Sequence, residues 1–401
     1  MRTNLKKYLT YSCLAAGFLL LLAGCRKDDI PRPPRVSRTV LVYMAAENTL
    51  DGNAGKNIEG MLAGMSRMPL LSEGGNLLVY LDPESDVEGS SAPRLYRIGI
   101  TPEGIVSKET VSTYPEHNSA SPEVLSQVIG ETCNRYPADE YGLILWSHGT
   151  GWLPANSIYA QAGRSAASAE TTNRRGLDRA FGQDGREWME LDELASALPD
   201  DRFDFIVFDA CYMGNAEVAY ALRDKTDYLI GAPTEILSEG MPYEKIVPYL
   251  FSEQPDLPGI CRAFYDYYTG HPYGGVFRSA TISLIRTDEL ENLAGTVRGI
   301  IASNPGGAAS VNVSSLQRFD RFRYPSIFDM GDYLERFATP EQLADFQRQM
   351  ARTVPCCYHT PIFINYEIRK FSGMGMYVPQ SGYPDLNASY ERLEWAQAIR
   401  P

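Results

Sequence analysis

The 401-residue chain is 44% hydrophobic and 22% charged, an ordinary globular composition that excludes a disordered protein and supplies apolar material for one large core or two modest ones. Its formal net charge of −13 repels nucleic acid and anionic membrane surfaces, so neither is an expected partner of the folded body.

At the amino terminus Arg2, Lys6 and Lys7 precede an apolar stretch at 9–23, followed by Gly24 and Cys25. A membrane-spanning helix needs about 20 apolar residues; this stretch is shorter and contains Thr10, Ser12 and Gly17, so 1–24 reads as an export signal. Leu22-Ala23-Gly24-Cys25 resembles the bacterial lipobox, which implies cleavage before Cys25 and lipidation of its thiol. Arg26-Lys27-Asp28-Asp29 is similar to the signal that sends some Gram-negative lipoproteins to the outer face of the outer membrane; the other reading is a solvated, periplasm-facing tether. Residues 25–38, with Pro31, Pro33 and Pro34, form that tether, and the lipid is the expected contact with the membrane.

From 39 onward short apolar runs at 39–46, 76–81, 141–146, 203–208, 228–232 and 281–285 predict buried parallel strands. Helical spacing predicts helices at 54–66, 122–135, 190–198, 215–224 and 287–302, and the alternation predicts an α/β fold with helices on both faces of a mostly parallel sheet. The segment 153–188 breaks the rhythm and reads as a long irregular connection, of the kind that is functional or mobile. From about 250 a C-terminal extension follows, with helices at 327–337 and 340–352 and strands at 362–366 and 373–378. Neither a repeat nor a second-domain linker is evident, so 39–401 is expected to be one body.

In parallel α/β sheets reactive groups collect at the carboxyl ends of strands. Two apolar runs end there in such residues, one in Trp146-Ser147-His148-Gly149 and the other in Phe208-Asp209-Ala210-Cys211. If the two strands are neighbours they lie about 4.8 Å apart, and an imidazole and a thiol can face one pocket as a Cys–His dyad. An apparent helix follows Cys211, so its sulfur is expected near a helix N-terminus that favours the thiolate. Ser147 is an unattractive nucleophile, because neighbours on a strand point to opposite faces and no Gly-x-Ser-x-Gly elbow is present. His117, His271 and His359 show no zinc-ligand spacing, so no metal ligands are assigned. Once Cys13 leaves with the signal and Cys25 takes lipid, Cys133, Cys211, Cys261, Cys356 and Cys357 remain, an odd number that leaves at least one free thiol in an oxidising compartment.

The blocks Leu-Ile-Leu-Trp-Ser-His-Gly-Thr-Gly-Trp around His148 and Phe-Asp-Ala-Cys-Tyr-Met-Gly around Cys211 resemble the two signature blocks of the clostripain family. The spacing between them suits that family, as do the opening strand 39–46, the Met241-Pro242-Tyr243 turn and the late 371–378 stretch. The resemblance covers roughly 39 to 380. It implies a caspase-like fold and a cysteine endopeptidase acting on peptides or proteins without an organic cofactor. It further implies cleavage after basic residues in several members, calcium dependence in some, and self-cleavage between the catalytic histidine and cysteine. The dyad carries over to His148 and Cys211, with the backbone N–H groups of Gly149 and Cys211 as oxyanion donors by analogy.

Asp209 stands two residues before the nucleophile, on the same side of its strand; in similar peptidases an acid here helps form the pocket for a basic P1 side chain, and its other role is to hold the strand-end turn. Glu235 and Glu239 lie in the loop after the 228–232 strand and border the same pocket as substrate-binding candidates, although Thr234-Glu235-Ile236-Leu237-Ser238-Glu239 departs from the family pattern. Arg164, Arg174, Arg175, Arg179 and Arg186 are internal cut sites if basic residues are preferred. The rival reading is a surface binding lipoprotein that kept the peptidase fold and lost its activity.

Overall fold

Val36–Ala46 (β1) lies at the middle of the molecule because it is apolar on both sides. Val40, Val42, Met44 and Ala46 pack into one core while Leu41, Tyr43 and Ala45 pack into another, the period-2 signature of a strand buried on both faces. The computed structural model describes residues 36–68, 75–84, 91–101, 103–153 and 181–401. The signal, Cys25, most of the tether and Arg164, Arg174, Arg175 and Arg179 lie outside the described residues.

The strands after β1 are β2 (Gly75–Pro83), β3 (Arg94–Ile100), β4 (Val106–Thr113), β5 (Ala138–Trp146), β6 (Phe181–Asp184), β7 (Glu187–Met189), β8 (Phe203–Asp209), β9 (Thr226–Gly231), β10 (Thr281–Arg286), β11 (Phe328–Asp329), β12 (Cys356–His359), β13 (Ile362–Phe363), β14 (Tyr366–Glu367) and β15 (Gly375–Met376). A nine-stranded sheet runs β12-β10-β9-β8-β5-β1-β2-β3-β4. Its central strands β9, β8, β5, β1 and β2 are parallel, and the fold is α/β as the alternation predicts.

Helices Pro122–Arg135, Leu191–Ala197, Ala216–Ala221, Leu290–Ser303 and Pro340–Thr353 contribute apolar residues to one core. Helices Asp51–Ser66, Tyr243–Leu250 and Leu257–Thr269 contribute to the other. Local signals set several of their ends. Ser121 accepts the Val124 N–H ahead of Pro122, and Thr339 forms a reciprocal capping box with Gln342, each cap worth about 1 kcal/mol.

Four expectations need correction. The run 281–285 is buried but antiparallel to β9. Two helices, Tyr243–Leu250 and Leu257–Thr269, intervene between these strands and return the chain to the rim it left, so the next strand descends. The segment 153–188 is not irregular throughout, since β6 and β7 form a hairpin at its end. The helix expected at 327–337 is shortened to Met330–Glu335, because Phe328 and Asp329 pair with β15 before Asp329 caps the helix. The strands expected at 362–366 and 373–378 reduce to the β13–β14 hairpin and to Gly375–Met376.

The β3–β4 hairpin was not anticipated. Its outer strand is mostly half-buried or exposed and gives no apolar run to read.

Candidate active site

Strands β5 and β8 are adjacent and parallel, with Trp146 opposite Asp209. Each chain continues two residues past that pair, one to His148 and the other to Cys211, so both leave the same rim of the sheet at the same level. Both side chains line one cavity of about 510 Å³, together with Thr49, Trp188, Asp209, Glu235 and Arg321. Serine chemistry has no support in this geometry. The buried Ser147 hydroxyl donates to the Ala45 carbonyl at 2.7 Å and accepts the Gln183 N–H at 3.0 Å.

His148 is held from several sides. Its Nε2 lies 2.9 Å from Thr49 Oγ1, its carbonyl accepts the Gly182 N–H at 3.1 Å, and the Trp188 ring stands 6.2 Å away. Gly149 must be glycine for packing reasons. A Cβ there would lie 2.6 Å from the Cys211 carbonyl oxygen and 3.2 Å from Ala210 Cβ, so the two reactive segments approach each other through a missing side chain.

Cys211 is half-buried. Its Sγ accepts the Ile236 N–H at 3.3 Å and lies 3.6 Å from the Ile236 carbonyl oxygen. The chain turns sharply just after it: Tyr212 has φ +63°, a left-handed conformation that costs a non-glycine residue of order 1 kcal/mol. It is held there by its N–H bond to the Thr234 carbonyl at 2.8 Å and by its buried ring against Phe322.

The expected helix N-terminus is not at the sulfur. Helix Ala216–Ala221 begins after Asn215, whose side chain accepts the Val218 N–H, and the dipole effect fades within one turn. Burial instead pushes the Cys211 thiol up to about 12, with Glu235 adding to the effect and the Ile236 N–H and Arg321 opposing it. Burial thus disfavours the Cys211 thiolate, and a thiol so placed would need a base in order to act as a nucleophile.

Asp209 is buried, and its Oδ2 accepts the Met241 N–H at 3.0 Å and the Tyr243 hydroxyl at 2.9 Å. The Met241-Pro242-Tyr243 turn is thus tied to the strand that carries Cys211. Burial raises the Asp209 carboxyl to about 6, against the lowering effect of those two bonds. Glu235 reaches the cavity but is engaged by Arg321 in a two-pronged pair, Nε–Oε2 2.6 Å and Nη2–Oε1 2.8 Å. Glu239 is not among the cavity-lining residues; its carbonyl accepts from Asn57 at 3.0 Å. Arg186 stands exposed in the β6–β7 turn.

Thr49, Trp188 and Arg321 escaped the sequence reading. Thr49 could have been found, since it lies just past the carboxyl end of β1, where the fold collects functional groups. Arg321 sits in a loop far along the chain and carries no local signal.

The Glu235–Arg321 pair beside the sulfur gives a measurable consequence. Glu235→Gln removes a charge that disfavours the thiolate and frees the Arg321 cation that favours it. Alkylation of Cys211 by iodoacetamide near neutral pH, followed by peptide mass mapping, is expected to be about three- to tenfold faster than in wild type. An unchanged or slower rate would show that Glu235 does not control the thiol.

Residues 42–354 match the model of the clostripain family, Peptidase C11. A curated relative, clostripain from Hathewaya histolytica, is 30% identical over 237 residues, 52% of this chain and 41% of that protein, so the chain spans less than half the length of that relative. Among solved structures the chain is similar to an inactive zymogen C11 protease from Parabacteroides distasonis, at 37% identity and TM-score 0.77 over 92% of this chain and 99% of that one. It is also similar to a secreted C11 cysteine protease from Bacteroides thetaiotaomicron in complex with an irreversible peptide inhibitor, at 28% identity and TM-score 0.73 over 90% and 98%. With a family match across most of the sheet and both strands that deliver His148 and Cys211, the chain belongs to the clostripain family.

Proposed function

We propose that this protein is a cysteine endopeptidase. Cys211 attacks the scissile carbonyl while His148 takes the thiol proton and passes it to the leaving amine. A thioester acyl-enzyme forms, and water then hydrolyses it. The backbone N–H groups of Gly149 and Cys211 stabilise the oxyanion. The observation that carries this reading is the delivery of both side chains, by adjacent parallel strands in matched register, to one cavity. The test is turnover of fluorogenic peptides by wild type and by Cys211→Ala; activity that persists in the variant would defeat the mechanism.

For substrate class we propose peptides with Arg or Lys at P1. Asp209 supports this choice, because a carboxyl at the cavity whose ionisation burial opposes gains most from a cationic side chain entering beside it. Glu235 is a weaker candidate for that contact, since Arg321 already satisfies it, and Glu239 lies outside the cavity lining. Self-cleavage between His148 and Cys211 within 153–188 belongs to the same proposal, and so does a calcium requirement in some form. No organic cofactor enters the chemistry.

For placement we propose residues 1–24 as a signal, Cys25 as the lipidated first residue of the mature protein, 25–38 as a tether and 39–401 as the peptidase body, displayed on the outer membrane. Among the described residues no helix is long and apolar enough to cross a membrane. Cys25→Ala is expected to move the protein from the detergent phase of a Triton X-114 partition to the aqueous phase, with most of the product no longer sedimenting with membranes. Unchanged membrane recovery would remove the lipid anchor. A protease-shaving assay on intact cells separates surface display from a periplasm-facing anchor.

A further inference from the structure

A second opening, a groove of about 960 Å³, adjoins the catalytic cavity and takes no part in the proposed chemistry. Arg321 and Phe322 line both, and Ile364 on the wall of the cavity is followed by Asn365 on the wall of the groove. A peptide leaving the dyad over Phe322 therefore has the groove before it. The lining is basic in an acidic protein. Arg318, Arg321, Arg323, Arg336, Arg369 and Lys370 share it with three acids, Asp320, Asp332 and Glu367, whereas the whole chain carries 37 bases and 50 acids.

Two of those acids are spent on the protein's own backbone. Asp320 is buried, and its Oδ2 accepts the Ser326 and Ile327 N–H groups at 2.8 and 2.7 Å. Asp332 is buried too, and its Oδ2 accepts the Gln317 N–H at 2.6 Å. Their arginine partners, Arg318 at 3.0 Å and Arg336 at 2.8 Å, keep 34% and 40% of their side chains exposed. A guanidinium has five N–H donors, so these bonds do not exhaust either one. Arg369 and Lys370 pair with the exposed Glu367 and Glu335, contacts worth little in water and readily exchanged for another carboxylate. Arg323 is exposed, stands over the Tyr324 ring at 5.5 Å, and pairs with no carboxylate among the described residues. Arginines gathered in a concave surface focus a positive potential and grip carboxylates through paired N–H bonds.

We propose that the groove is a substrate subsite for acidic side chains, carried by the polypeptide a few residues from the bond that is cut. The inference rests on the peptidase reading and narrows it to cleavage points flanked on one side by Asp and Glu. Continuity with the catalytic cavity favours the substrate's own chain over a separate polyanion. Arg321 is held by Glu235 at the boundary, so Arg323, Arg369 and Lys370 are the specificity-determining bases, and Arg318 and Arg336 add to their field.

The test uses full-length protein and paired, internally quenched peptides that are identical at the cleavage point. One of each pair carries two adjacent acidic residues and the other their amides, and the acidic pair is walked outward one position at a time on either side. At the best position wild type is expected to favour the acidic peptide roughly tenfold in kcat/KM, chiefly through KM, and the preference should shrink severalfold in roughly 0.5 M salt. Combining Arg323→Gln with Arg369→Gln is expected to bring the acidic-to-amide ratio to about one or two. Both side chains are exposed, and each single variant, expected to lose part of the ratio, serves if the pair lowers the melting temperature. Fluorescence anisotropy of the labelled peptides on Cys211→Ala reads binding without turnover and should show the same preference. A ratio near one at every position, or one undiminished in the folded double variant, would overturn the subsite and leave the peptidase reading untouched. Acidic peptides that Cys211→Ala binds but wild type does not cut would overturn the peptidase reading, and with it the groove's part in substrate choice. Heparin binding to Cys211→Ala more tightly than any acidic peptide would overturn the choice of occupant.

Discussion

Cys211→Ala is expected to lower kcat/KM on a peptide amide by roughly 10⁴-fold or more, to the background of the assay, while leaving the folded protein intact. The substitution removes one half-buried sulfur and leaves the strand, the Tyr212 turn and the Thr234 contact in place. His148→Ala is expected to cost a comparable factor, and the double variant little more than either alone, because a nucleophile and its base act as one unit. Additive losses would mean that the two residues serve separate functions. The same preparations report on processing. If the chain cuts itself between His148 and Cys211, two fragments should appear with wild type and a single intact chain with Cys211→Ala.

The second large effect is expected at Asp209. In Asp209→Asn the amide oxygen can still accept from the Met241 N–H and the Tyr243 hydroxyl, which now bond to Oδ2, so the turn is retained and only the charge is lost. Turnover of peptides with Arg or Lys at P1 is expected to fall about 100-fold, with little change for a neutral P1. Loss of a charge partner in a dry pocket is worth several kcal/mol. Asp209 ionises at about 6, above an ordinary carboxyl. In the free enzyme it is therefore neutral below that pH and charged above it, and kcat/KM for basic substrates should drop as pH falls through about 6. That limb should be missing in Asp209→Asn. Equal losses for basic and neutral P1 would assign Asp209 to holding the turn alone.

The late block 371–378, which the sequence relates to the family without explaining it, has a physical role in the folded chain. Gly375 donates to the Gly214 carbonyl at 3.2 Å, and the Tyr377 N–H bonds to the buried Glu217 at 2.7 Å. It buttresses the segment that follows Cys211. The Met241-Pro242-Tyr243 turn acts likewise through Asp209. These stretches are distant in the chain, and both brace the carboxyl end of β8, from which the chain continues to Cys211.

By itself the sequence determined six of the nine strands of the main sheet, β1, β2, β5, β8, β9 and β10, most of the helices around them, and the two residues that bear the proposed chemistry. These features rest on local properties: apolar periodicity, caps, and reactive residues placed where strands end. The direction of β10, the β3–β4 hairpin and the basic groove around Arg323 were decided only in three dimensions. So were the burial that raises the Cys211 thiol and the pairing of Glu235 with Arg321. An apolar run is equally buried whether its strand runs up or down, and a carboxylate's charge depends on desolvation and on neighbours that lie dozens of residues away, as Arg321 lies from Glu235. Such terms come into existence when the chain closes on itself, and no local reading contains them.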